Sequence, residues 1–300
     1  MKIYIKLVLT ALFWGGTFVA GKMAAQNVGP FSIGFLRFAM ASALLLLLTW
    51  KIEGRLPRLK KSQILHVVLL GMIGIALYNV MFYKGLKIIE ASRAALIVAT
   101  CPIFITICSA LLLKEKITAI QGAGIVVSVF GAIIVISKGK INHVLEGGLG
   151  WGELYIFCCV LSWVIYSLIG KTVMKSLSPL ASVTYSSVIG TVFLLIPACF
   201  EGLIRNVPNH SATDWVCISY LGIFGTVIGF VWYYQGVEYL GPTKAGLFIN
   251  FVPIFAILSA FLILREPITL SLAVGGVLVL SGVYLTNRRP RRSGWSKKVK

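Results

Sequence analysis

Two tryptophans, Trp14 and Trp163, stand 149 residues apart, each near the middle of a long apolar run. Thr17 and Tyr166 follow them by one helical turn, Tyr78 and Asn79 lie in the third apolar run of the chain, and Asn250 lies in the ninth. Aromatic faces hold the apolar or cationic part of a small molecule, and side-chain amides orient its polar end. Tryptophan usually prefers the membrane interface, so its mid-run position is unusual. An amide in lipid must find a partner, either a neighbouring helix or a ligand. Packing between helices accounts for any one of these residues. As a set converging on a central cavity they suit an amphipathic small molecule.

The acids point away from other chemistry. All nine (Glu53, Glu90, Glu115, Glu146, Glu153, Glu201, Asp214, Glu238 and Glu266) fall in loops or at the ends of apolar runs. A proton or sodium relay normally uses a carboxylate held at depth, where its charge is costly. Carboxylate-based proton antiport is therefore disfavoured, and Glu153, near the start of the sixth run, is the remaining candidate. His66, His143 and His210 are likewise peripheral, and the six cysteines (Cys101, Cys108, Cys158, Cys159, Cys199, Cys217) show no metal-ligand spacing. No metal or cofactor is expected, and an intramembrane enzyme would lack its nucleophile–base pair.

Four further sets read as gating or structural. Glu115 and Glu266 each precede a new run, where a carboxylate either caps free N–H groups or serves as a gate charge. Arg37 lies seven residues into the second run, roughly 10 Å from its end at 1.5 Å per residue. It either snorkels outward, bonds to other helices, or meets a substrate carboxylate. No second basic residue lies at depth by these boundaries, which argues against multivalent anionic substrates. Pro102 and Pro253 are expected mid-way along the fourth and ninth runs, as hinges or static kinks. Gly124 and Gly131, with Gly275 and Gly282, form seven-residue stripes that permit close helix contact, as a scaffold or a homodimer face.

Ten apolar stretches must position these residues: 5–25, 30–50, 63–83, 92–113, 117–137, 151–171, 179–199, 213–236, 243–264 and 269–287. Each approaches the roughly 20 residues a helix needs to cross hydrocarbon. Backbone groups in lipid must be satisfied within the segment, and the period-two alternation of a barrel is absent, so these are helices. Apolar residues make up 58% of the chain and charged residues 12%, which excludes an ordinary soluble domain. The net charge of +19 is a matter of sidedness. With the N-terminus in the cytoplasm, 19 of the 28 Lys and Arg fall inside and 8 outside, with Arg37 within a helix. Nucleic acid is not an expected partner. The basic tail, 288–300, anchors topology or meets anionic lipid.

The second half repeats the first. A shift of 151 places residues 71–131 on 222–282 with 18 identities, among them Gly74 on Gly225, Pro102 on Pro253, Glu115 on Glu266, and Gly124 on Gly275. A shift of 149 places Trp14, Gly21, Lys22 and Pro30 on Trp163, Gly170, Lys171 and Pro179. The match through Trp14 also argues that the first run is a retained helix rather than a signal peptide. Two halves of five crossings each must be inverted relative to each other, the architecture of secondary transporters. The expected domains are residues 1–137, an external linker at 138–150, residues 151–287, and the cytoplasmic tail at 288–300.

The segments ALFWGGTFVAGK (11–22), LRFAMASALLL (36–46), LLLKEKIT (111–118) and LILREPIT (262–269) resemble the EamA-type drug/metabolite transporters, over nearly the whole chain. One departure is Arg37, whose repeat counterpart is Ser186. The resemblance implies an all-α integral membrane protein of ten helices in two inverted five-helix repeats. It also implies a secondary transporter, in the exporting direction, for small metabolites such as amino acids. A hydrophobic-drug efflux protein of the same fold is the alternative, and a non-transporting membrane subunit the more distant one. The expected location is the bacterial inner membrane, with both termini cytoplasmic.

Cysteine-accessibility labelling in a Cys-free background checks that topology. Position 146 should react with an impermeant reagent from outside, and positions 57 and 295 should be protected. The reverse pattern would sink the assignment.

Overall fold

The computed structural model describes residues 1–113, 117–138, 150–174, 176–240 and 242–286. Glu115, the linker residues 139–149 and the basic tail lie outside the described residues. Among the described residues every regular element is a helix. In chain order they are α1 (Lys2–Asn27), α2 (Pro30–Glu53), α3 (Lys61–Ile88), α4 (Ala91–Val98, then Cys101–Leu113) and α5 (Ala119–Ile136). The second half gives α6 (Trp151–Val173), α7 (Pro179–Phe200), α8 (Ala212–Gly222, Ile223–Ile228 and Gly229–Leu240), α9 (Pro242–Ile249, then Val252–Leu264) and α10 (Leu270–Thr286). Among the described residues eight spans are long and apolar enough to cross a membrane, and Val252–Leu264 and Leu270–Thr286 are shorter apolar helices at the expected ninth and tenth places.

Local chemistry sets the helix starts. Pro30 and Pro179 open α2 and α7, where a missing N–H costs nothing. Ser178 Oγ accepts from Ala181 N at 3.0 Å. Capping boxes pair Thr118 with Gln121 at α5 and Ser211 with Asp214 at α8.

Packing then crosses the repeat boundary. Along α2 and α7, Ser32 Oγ meets Glu201 at 2.8 Å, Ser42 meets Thr191 at 3.2 Å, Thr49 meets Thr184 at 2.8 Å, and Ser178 Oγ meets Glu53 at 2.6 Å. Each advance along α2 is a retreat along α7, so the two helices run antiparallel. They are also equivalents under the 149-residue shift, and Ser42 maps onto Thr191 itself. The glycine stripes of α5 and α10 behave alike: a Cβ on Gly131 would lie 2.7 Å from Gly275 O, and one on Gly124 2.6 Å from Gly282 O. Equivalent helices that meet antiparallel are inverted repeats.

The remaining contacts come in matched pairs. Leu7 on α1 fills the space above Gly236 on α8, and its counterpart Ile156 on α6 does so above Gly85 on α3. Thr17 abuts Gly225 as Tyr166 abuts Gly74. The expected dimer face on the glycine stripes is corrected: those glycines are spent inside the chain, on the α5–α10 contact. The largest apolar core lies where α1 ends and α6 begins, around Phe18, Ala24, Phe82, Tyr83, Leu86, Ile156 and Leu221.

A further expectation is revised. Pro102 and Pro253 do not kink continuous helices. α4 and α9 stop and restart at matched places, with residues 99–100 and 250–251 between the pieces. Each proline then sits in the first turn of the second piece, where its lost N–H has no partner to lose. Neither α3 nor α8 is uniform: both carry a π-helical stretch, Leu70–Leu77 and Ile223–Ile228, again at repeat-related positions.

Gly131→Ala should lower the thermal unfolding midpoint in detergent by several degrees, because overpacking of this kind costs about 1–3 kcal/mol. Gly122→Ala meets nothing within 4 Å and should be neutral or slightly stabilising. Equal midpoints for the two variants would contradict the α5–α10 contact.

Candidate functional site

Burial in a helical bundle forces each polar group to find a partner on another helix. Arg37 is 8% exposed and does not snorkel to the end of α2. Its Nε donates to Thr226 Oγ1 on α8 at 3.1 Å, and its Nη1 donates to Asn79 Oδ1 at 3.0 Å and Tyr83 Oη at 3.1 Å, both on α3. Asn79 Nδ2 in turn donates to Ile75 O at 2.8 Å, which fixes the amide orientation. Thr226 belongs to the π stretch of α8, so a single side chain ties both repeats together. The pattern reads as a polar pole of the interior.

The repeat-related place is different. Ser186 stands where Arg37 would, Phe230 where Asn79 would, and Tyr234 where Tyr83 would. Tyr166 lies beside Ser186 and Tyr234, and the Phe230 and Tyr234 rings are 6.2 Å apart. This pole is aromatic. The two poles are related by the pseudo-twofold and differ in chemistry.

Most of the expected binding residues fall on these poles. Trp14 donates its Nε1 to Gly225 O at 3.0 Å and packs 5.5 Å from the Phe230 and Tyr233 rings. Thr17 Oγ1 bonds back to Trp14 O at 2.6 Å, so it supports α1 and turns its methyl to Gly225. Trp163 stacks on Tyr166 at 5.3 Å and faces Tyr78 at 5.7 Å. Trp14 with α8 and Trp163 with α3 are thus matched clusters. Asn250 is half-buried in the break of α9 and its amide has no hydrogen-bond partner among the described residues. The structure brings Trp14, Thr17 and Arg37 together at Gly225, and Tyr78, Trp163 and Tyr166 together between α3 and α6. A shallow groove by Ile134, Lys138, Thr269 and Leu270 lies at one end of the α5–α10 pair, apart from both clusters.

The carboxylates keep their expected places at helix ends but are not exposed there. Glu266 accepts from Ala91 N at 2.8 Å and from Ser92 N and Oγ at 3.0 and 2.6 Å, so it caps α4 from the other repeat. Glu201 caps α2 in the same manner, through Ser32 N at 2.7 Å. Glu153, 4% exposed, pairs with Arg93 Nη1 at 2.7 Å, and Arg93 Nη2 donates to Ile136 O. Arg93 is a second buried basic residue, held at a helix end rather than at depth. It sits in the first turn of α4, where the end of a neighbouring helix covers it. Lys22 Nζ donates to Leu86 O and Ile89 O, closing the C-terminal end of α3. Sequence reasoning placed these charges at helix ends. It missed that one repeat's charges cap the other's helices, and it missed Phe230, Tyr233 and Tyr234, whose repeat-related positions were the available signal.

Comparison with known proteins bears on this arrangement. The model of the EamA-like transporter family matches residues 1–137 and 150–288. The uncharacterized transporter YyaM of Bacillus subtilis is 32% identical over 94% of this chain and 92% of its own length. An uncharacterized transporter of Archaeoglobus fulgidus is 29% identical over 96% of this chain and all of its own. A probable terminal-alkyne amino-acid exporter of Streptantibioticus cattleyicolor is 29% identical over 94% and 92%. A solved crystal structure superposes with a TM-score of 0.62 at 18% identity, over 95% of this chain and 98% of that one, which bears on the fold alone.

Glu266→Gln should reduce folded yield and thermal stability. An amide offers one acceptor where three donors converge, and each charge-assisted bond contributes about 1.5–3 kcal/mol. Transport per folded molecule should change little. Normal stability with abolished transport would favour a gate charge.

Proposed function

Because the chain belongs to the EamA-like transporter family, we propose that it is a secondary transporter exporting small amphipathic metabolites, amino acids and related compounds among them, by alternating access between its inverted repeats. The observation that carries this reading is the pair of unlike poles, the Arg37 group and the Tyr166–Phe230–Tyr234 group, at repeat-related places inside one bundle. A transport site that opened between one polar and one aromatic pole would select a molecule that has both kinds of end. The naming of one relative as a probable amino-acid exporter supports the substrate class.

The broken helices and the π stretches support the mechanism. α4 and α9 each stop and restart at matched positions, and discontinuous helices of this kind line transporter sites. π stretches also concentrate at functional places. The end of the bundle where α1 finishes holds the largest apolar core and the Arg93–Glu153 pair, which supports reading that end as the closed gate, with the Glu266 cap as part of the fold beside it. Rocking one repeat about the α2–α7 and α5–α10 contacts would open it and close the opposite end. The expected cell-membrane location with cytoplasmic termini makes the latched end the external one.

Cells overproducing the protein should release the exported metabolite faster than cells carrying an empty vector, read by mass spectrometry of the medium. Trp14→Ala and Trp163→Ala should each weaken apparent affinity about 2- to 10-fold at unchanged membrane level, the range expected for losing an aromatic contact. Asn250→Ala should act in the same direction. Wild-type transport by the double Trp14, Trp163 alanine variant would place the substrate elsewhere.

A further inference from the structure

Arg37 is more than nine-tenths buried, always charged, and without a carboxylate. Arg93–Glu153 is the one ion pair among the described residues, so the acids there do not neutralise it. Three donor contacts from Nε and Nη1 go to neutral groups, Thr226, Asn79 and Tyr83. Nη2 has no hydrogen-bond partner among the described residues. It is not sealed either: among the described residues the fully buried polar atoms without partners are Arg93 Nε, Ser128 Oγ, Ser187 Oγ and His210 Nε2, so Nη2 keeps some accessible surface. The guanidinium also lies over the Phe38 ring, 5.0 Å from its centroid, but it has no counter-charge; a buried cation without one is costly, and an arriving anion reduces that cost.

The surroundings define what can arrive. Nη2 faces Gly225, where a Cβ would stand 3.6 Å away. Trp14 holds the carbonyl of the same glycine, and its ring leads on to Phe230 and Tyr233. A charged donor therefore borders an aromatic wall. Of the two buried basic side chains among the described residues, Arg93 is neutralised by Glu153 and Arg37 is not.

We propose that Arg37 Nη2 is a carboxylate-binding atom of the transport site, and that the substrates are molecules with one carboxylate at one end and an apolar or aromatic body at the other. This deepens the transporter reading and rests on it. Nε and Nη1 are committed to Thr226, Asn79 and Tyr83, so the guanidinium is held in orientation before the ligand comes and little ordering remains to be done on binding. The contact is end-on through one nitrogen rather than bidentate, which suits a carboxylate that must also be released.

Binding to the purified full-length protein in detergent tests this, read by tryptophan fluorescence and thermal shift with three probes sharing one ring: phenylalanine, phenylacetate and phenethylamine. Phenylalanine and phenylacetate should bind, and phenethylamine, which lacks the carboxylate, should bind at least roughly 10-fold more weakly. Arg37→Met should abolish that preference, and Arg37→Lys should restore part of it. A purely structural arginine would lower stability in both variants without changing the order of the three probes. Should Arg37→Met fail to fold, the wild-type order of affinities and the Arg37→Lys order still decide. Equal affinity for phenylacetate and phenethylamine, a preference kept in a folded Arg37→Met, or no binding of either carboxylate would each overturn the inference. None of these results touches the transporter reading, which is decided separately by efflux from cells.

Discussion

Polar groups inside an apolar bundle must be satisfied by protein, and in this chain one repeat satisfies the other. Ser42 bonds to Thr191, its own counterpart, and Thr49 and Thr184 meet beside them. Glu201 caps α2, Glu266 caps α4, and Ser178 of α7 holds Glu53. The hydrophobic effect does not drive helices together in lipid, so packing and hydrogen bonds must do it. Small residues let α5 and α10 approach until glycine faces glycine, and hydroxyl pairs join α2 to α7. The separate five-helix halves would leave these groups without partners, which is why the duplicated chain behaves as one structural unit.

The same constraint explains where the charges stand. A carboxylate at a helix end is cheap only if it meets free N–H groups, and the nearest free N–H groups belong to a helix of the other half. Glu266 is therefore buried, and Glu201 half-buried, without being at depth. Glu153 and Arg93 follow the same logic at the start of α6 and α4. These contacts cluster at the end of the bundle holding the largest apolar core. In the proposed cycle, a state that opens this end would exchange the Arg93–Glu153 pair for water or other partners, while the Glu266 and Glu201 caps stay with the helices they close.

Symmetry of the backbone and asymmetry of the side chains then divide the work. The π stretches, the breaks in α4 and α9, and the Leu7–Gly236 and Ile156–Gly85 contacts obey the pseudo-twofold. Equivalent backbones would give the two states of the proposed cycle similar packing, as rocking between them requires. Arg37 against Ser186, and Asn79 against Phe230, break the symmetry where a ligand would lie. A cavity with identical poles would have no reason to prefer an amphipathic molecule.

The sequence by itself determined the helical class, the duplication, the inversion expected of odd halves, and the family. Those features are written in composition, in periodicity and in the two offsets, which need no knowledge of which helix touches which. It also named Trp14, Trp163, Tyr78 and Asn79 as unusual for their depth. The tertiary structure alone decided what those residues meet. Arg37 could not be separated from a snorkelling cation until Thr226 was seen beside it, because the two are 189 residues apart and on helices of different repeats. The proline breaks and the π stretches were hidden for another reason. An apolar run has the same hydropathy whether its helix is continuous, widened or broken, so only the packed neighbours fix the backbone path.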